Sequence, residues 1–103
     1  MAIAYTSTEE IKKDVQELTK IAIEDRIPEE EIRYIYQLAA QGTLQYIEPH
    51  LKHKIIVSEI VGREIISRRF ADKALLLLSK YDQRDRTLLL ECTMLLYLDS
   101  FDK

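Results

Sequence analysis

Three side chains are the first places to look for chemistry in this chain: His50, His53 and Cys92. The two histidines open the stretch "HLKHKIIVSEIVGREIISRRF", residues 50–70, three positions apart. That spacing puts both imidazoles on one side of a helix, where they could share a metal ion. Zinc needs about four ligands, however. The rest would have to come from Cys92 and scattered carboxylates, because the chain has no Glu-x-x-His and no second histidine-bearing segment. His53 also falls among apolar residues at helical spacing. A packed or interfacial histidine is therefore expected, with no metal site.

Cys92 could act as a nucleophile only beside a histidine oriented by a third group. Its neighbourhood, "LLLECTMLL", favours the neutral thiol and hides it from substrate. An inert core cysteine is the expectation. Gly42 and Gly62 are the only glycines, so there is no glycine-rich phosphate loop. The acidic run "EDRIPEEE" resembles paired carboxylates, but glutamates at a helix start are accounted for by the helix dipole. Neither catalysis nor a cofactor is expected.

The basic residues of the same middle stretch could instead contact phosphates: Lys52, Lys54, Arg63, Arg68, Arg69 and Lys73. A helix-turn-helix needs a turn of about three or four residues, and "GTLQYIE" is too long for one. A recognition helix starting near Ser67 would present Arg68, Arg69, Asp72 and Lys73 and then run into four leucines. The six tyrosines lack the basic–aromatic interleaving of single-strand binders. A nucleic-acid-binding regulator is thus the alternative, not the leading expectation.

The elements that must position these groups read as helices. In "TSTEEIKKDVQELTKIAIEDR" a capping box pairs Ser7 with Glu10, and Ile11, Val15, Leu18 and Ala22 follow on one face, widened by Ile21. In "RIPEEEIRYIYQLAAQG", Pro28 suits the first helical position and Gly42 the C-terminal cap, with Ile32, Ile35, Tyr36 and Ala39 facing inward. A connector around "TLQYIEP" leads to a third helix from about Pro49.

The β-branched run "KIIVSEIV-GR-EIISRR" also fits a hairpin, as in a winged-helix wing. The adjacent isoleucines 55 and 56 and the absence of alternation favour a helix. So do acid-before-base pairs four residues apart, Glu59/Arg63 and Glu64/Arg68, as at Glu9/Lys13, Glu29/Arg33 and Asp82/Arg86. His53, Ile56, Val57, Ile60 and Val61 would cluster on one apolar side and Ile65, Ile66 and Phe70 on roughly the other. Either the helix breaks near Gly62 to Ser67, the preferred reading, or it runs straight and packs on two faces.

"FADKALLLLSKY" and "RDRTLLLECTMLLYLDSF" supply the last two helices, with Asp82 or Asp85 capping the second. Both are apolar in nearly every direction. A helix apolar all round must be buried all round, and about five helices can enclose hardly more than one such segment.

Composition agrees with this reading. The chain has 103 residues, 47% hydrophobic and 32% charged, with a net charge of −3. That is the make-up of one soluble helical domain spanning 1–103, with residues 1–6 and 100–103 expected to fray. Two glycines and two prolines are too few for the turns of a β-sandwich. The charge is uneven: −5 over residues 1–49, +4 over 50–86 and −2 over 87–103. Oppositely charged helices lying side by side explain this without an anionic partner. One cysteine and no opening signal sequence point to a reducing, cytoplasmic setting without membrane insertion. Abundant isoleucine and the lack of tryptophan and asparagine would suit a thermophilic source.

The expected protein is therefore an all-α bundle of about five helices, a small non-catalytic interaction or regulatory module. Surplus apolar surface on residues 74–98 would meet a second copy, as a homodimer, or a dedicated protein partner. Leu76, Leu89, Met94, Leu96 and Tyr97 are the candidate contact residues.

Overall fold

The buried stripe of the first helix is the one its spacing predicts. In the computed structural model, which describes residues 8–102, α1 spans Thr8–Glu24 and buries Ile11, Val15, Leu18 and Ala22. It also buries Asp14 and Thr19, a polar addition to that stripe. The Ser7 half of the capping box and the fraying expected at residues 1–6 lie outside the described residues. α1 closes with Arg26 in the left-handed region, φ +53°, while the Ile27 amide reaches back to the Ala22 carbonyl at 3.0 Å.

Pro28 precedes α2 (Glu29–Ala40), which buries Ile32, Ile35 and Ala39 and leaves Tyr36 half-buried. Gly42, at φ +76°, lets the Thr43 amide turn back to the Leu38 carbonyl at 2.8 Å. A single 3-10 turn, Leu44–Tyr46, then runs into α3 (Ile47–Val61). This helix starts two residues before Pro49. The proline therefore sits in the first turn, where its missing N–H has no helical partner to lose.

The hairpin alternative for residues 54–69 is not what forms: α3 continues to Val61, and Gly62 caps it at φ +74°. The inner side of α3 differs from the expected one. Its buried residues are Ile47 and Leu51, followed by half-buried Ile55 and Ser58. His53, Ile56, Ile60 and Val61 are exposed, and Val57 is half-buried. The inward stripe advances by four from Ile47, and Gly62 stops the helix before its other apolar side finds cover.

Ile66 in the following loop is buried, and Ser67 caps α4 (Arg68–Lys80) by accepting from the Phe70 amide at 3.2 Å. Asp82 caps α5 (Gln83–Asp99) by accepting from the Asp85 amide at 2.9 Å. Residues 100–102, expected to fray, form a 3-10 turn, and residue 103 lies outside the described residues.

α5 packs against α1 and α2, α4 packs against α1 and α3, and a single core joins them into an all-α, single-domain bundle. Phe70, Leu18, Ile32, Ile35, Ile47, Leu51, Leu89 and Leu90 are its best-buried large apolar side chains. No helix of the described residues is long and apolar enough to cross a membrane.

The charge asymmetry along the chain is consumed by packing. The basic face of α4 lies on the acidic face of α1. Arg69 pairs with Glu24 and Asp25 at 2.9 and 2.8 Å, Lys73 with Glu17 at 2.8 Å, and Lys80 with Glu10 and Asp14 at 2.6 and 2.8 Å. Of the pairs expected within helices, Glu29/Arg33 forms at 2.7 Å. Glu59 instead reaches Arg68 at 3.0 Å, and Arg86 donates to the Tyr81 carbonyl at 2.7 Å.

Candidate interaction surface

α5 is apolar on nearly every side, and the bundle uses only part of it. Leu89, Leu90, Thr93, Met94 and Tyr97 point into the core. The Tyr97 hydroxyl donates to the Ile27 carbonyl, and its ring meets Phe101 edge-on with centroids 5.0 Å apart. On the other side, Leu88, Leu95 and Leu96 are exposed and Cys92 is half-buried.

The five candidate contact residues thus divide. Leu89, Met94 and Tyr97 are core residues, 0, 8 and 2% exposed, and cannot reach a partner in this fold. Leu76 and Leu96 stand out at 60 and 43%. An all-apolar helix carries no periodic signal for its inward face. That face is set by which neighbours pack on it.

The exposed side of α5 does not stand alone. α1 and α5 run side by side in the same direction. Thr8, Ile11, Lys12 and Val15 face Leu88 and Cys92 across one hollow of about 470 Å³. Thr19, Lys20, Ile23 and Glu24 face Leu96, Asp99 and Ser100 across the next, of about 400 Å³. Gln16 and Leu96 belong to both, so the two make one groove along the helix pair. The first hollow is walled almost wholly by apolar groups, and the exposed Ile23 extends the strip toward the far end.

The α1 contribution was not legible in the sequence. Ile11 and Val15 read as core, and they are, but their edges also floor the groove. Cys92 lines it as well. Burial, followed by the nearby Glu91 carboxylate, pushes its thiol above the ordinary value, which disfavours the reactive thiolate.

A second exposed apolar group lies on and after α3: Ile56, Ile60, Val61 and Ile65, with Ile60 78% exposed. Of its flanking charges, Lys52 pairs with Glu48 at 2.8 Å and Glu59 with Arg68, while Arg63 and Glu64 form no ion pair among the described residues. Leu76 stands on α4 outside the lining of the α1/α5 groove.

The two histidines do not share a site. His50 bonds to the Glu31 carboxylate on α2 and stacks at a tilt on Tyr34 with centroids 4.7 Å apart; Lys54 adds a 3.3 Å contact to the same Glu31. His53 faces solvent. No group of three or more histidine, cysteine, aspartate or glutamate side chains suited to a metal ion occurs among the described residues.

Of the six basic residues of the nucleic-acid alternative, five are tied to carboxylates: Lys52, Lys54, Arg68, Arg69 and Lys73. Arg63 is exposed just past the end of α3. Comparison with protein-family models, curated proteins and solved structures finds no match.

Proposed function

We propose that this chain is a non-catalytic helical interaction module that works by self-association, through the apolar groove between α1 and α5. One observation carries the reading. Leu88, Leu95 and Leu96 form an exposed strip on α5 beside half-buried Cys92, flanked by exposed Ile23 of α1. Lone exposed leucines are ordinary, but a contiguous apolar strip beside a groove is the usual mark of a protein contact. Covering it removes apolar surface from water at roughly 25 cal/mol per Å².

The reading keeps the C-terminal helix as the contact element and moves the contact residues. Leu96 is kept, and Leu88 and Leu95 take the place of Leu89, Met94 and Tyr97. A single cysteine suits a reducing compartment, and the proposal assigns the module to the cytoplasm on that ground.

The test is molar mass by light scattering across a concentration series, for the wild type and for a Leu95→Lys/Leu96→Lys variant. Both positions are exposed, so the variant should fold. The wild type should approach a multiple of the 12.1 kDa subunit and the variant should stay at one. A wild type that keeps the subunit mass throughout removes self-association as the function.

The nucleic-acid reading has weaker support. Its basic side chains are held by carboxylates in the same chain, and freeing them costs those contacts.

A further inference from the structure

Lys12 and Lys20 stand on the α1 side of the groove, eight residues and so about two turns apart. Glu91 and Asp99 stand on α5, also eight residues apart. All four are exposed, and none of them forms an ion pair among the described residues. Elsewhere on the molecule Arg69, Lys73 and Lys80 of α4 are matched to acids of α1 and to Asp25 just after it. The groove thus has a basic edge and an acidic edge, left unmatched around its apolar floor.

The heights of these charges agree. Lys12 lies at the level of Leu88 and Cys92, the turn that carries Glu91. Lys20 lines the same hollow as Asp99.

A face with a basic left edge and an acidic right edge complements itself in one of two ways of turning over. Rotation about an axis across the helices lays α1 on α1 and sets lysines against lysines. Rotation about an axis along the helices lays α1 on α5 and keeps each charge at its own height. Because a two-fold contact repeats every pairing, each match or mismatch counts twice.

We infer that a second copy of the chain covers this face, related by a two-fold axis parallel to α1 and α5, setting Lys20 against the partner's Asp99 and Lys12 against the partner's Glu91. The inference rests on the self-association proposed above and names its geometry. Leu88, Leu95 and Leu96 then pack over the opposite α1, and the charges choose orientation more than they supply affinity.

The experiment is sedimentation equilibrium of the full chain with exchanged edge charges. Lys20→Glu and Asp99→Lys should each weaken the dimer about tenfold or more, since each places two like-charged pairs across the axis. An equimolar mixture of the two variants should recover dimer. In the mixed pair the glutamate introduced at position 20 meets the lysine introduced at position 99, and the two unaltered groups, Asp99 and Lys20, meet each other. Ile60→Lys, on the separate α3 surface, should leave the dimer intact.

A wild type at the subunit mass overturns both the function and this geometry. A dimer that ignores the edge exchanges, fails to recover in the mixture, or dissociates on Ile60→Lys overturns the geometry and leaves self-association standing.

Discussion

The Lys80 ammonium lies 2.8 Å from the Asp14 carboxylate, tying the last turn of α4 to the middle of α1 across sixty-six residues of chain. The Tyr81 hydroxyl donates to the same carboxylate oxygen, and Lys80 also sits 5.1 Å from the centre of the Tyr81 ring. Asp14 is buried, so these donors are what make its charge tolerable at the α1/α4 seam.

This cluster gives the fold a pH signature on the acid side. Burial raises the Asp14 carboxyl, but the hydrogen bonds from Lys80 and then Tyr81 outweigh it, leaving the group below its ordinary value. The sign follows: the stabilisation is complete above about pH 4 and is lost as pH falls through the folded value. Asp14→Asn should cost about 2 kcal/mol in urea denaturation near neutral pH. It should also flatten the loss of stability in acid.

On the alkaline side the sign reverses. Burial first, and the Asp14 carboxylate second, push the Tyr81 phenol up to about 12. Its contribution is full below the unfolded value of about 10 and drains as pH rises toward that folded value. Tyr81→Phe should remove this alkaline drop in melting temperature. An unchanged alkaline profile would mean that neither burial nor Asp14 holds the phenol in its neutral form.

Of the left-handed residues that close helices, Gly62 and Arg26 have opposite chemistry. Gly62 ends α3 at φ +74°, with nothing within 4 Å of where a Cβ would stand, so Gly62→Ala isolates backbone strain from crowding. It should cost about 1 kcal/mol. Arg26 ends α1 at φ +53° with a side chain that glycine would not need. Arg26→Gly should gain about 0.5 kcal/mol, the relieved strain less glycine's entropy. Chemical denaturation of both variants reads these opposite signs directly.

Duplex and single-stranded oligonucleotides should leave the sedimentation of the protein unchanged even at low salt. The competing reading predicts binding that weakens steeply as salt rises and fails when Arg68 and Arg69 become alanine.

Helices announced by caps and a clean apolar stripe were legible from residue order alone. The inward faces of α1 and α2 are where Ile11, Val15, Leu18, Ile32 and Ile35 put them, and Gly62 ends α3 as its backbone freedom suggests. The failures share a cause. On α5 only a narrow polar strip at Thr87 and Glu91 interrupts the apolar surface, too little to separate buried Leu89 from exposed Leu88; the positions of α1 and α2 do that. On α3 two apolar sides compete, and the side continuing from Ile47 and Leu51 won because it meets α4, leaving Ile56 and Ile60 outside. The groove was invisible for a further reason: half of its wall belongs to α1, at the far end of the sequence from α5.

Cys92 reports on the groove without any substitution, since it is the only thiol and lines the hollow between α1 and α5. The most direct measurement is therefore its alkylation rate as the protein concentration rises through the range where mass changes. If a second copy covers the groove, the rate per thiol falls with concentration and the Leu95→Lys/Leu96→Lys variant shows no such fall. A rate that stays constant while the mass doubles would place the contact elsewhere and contradict the account.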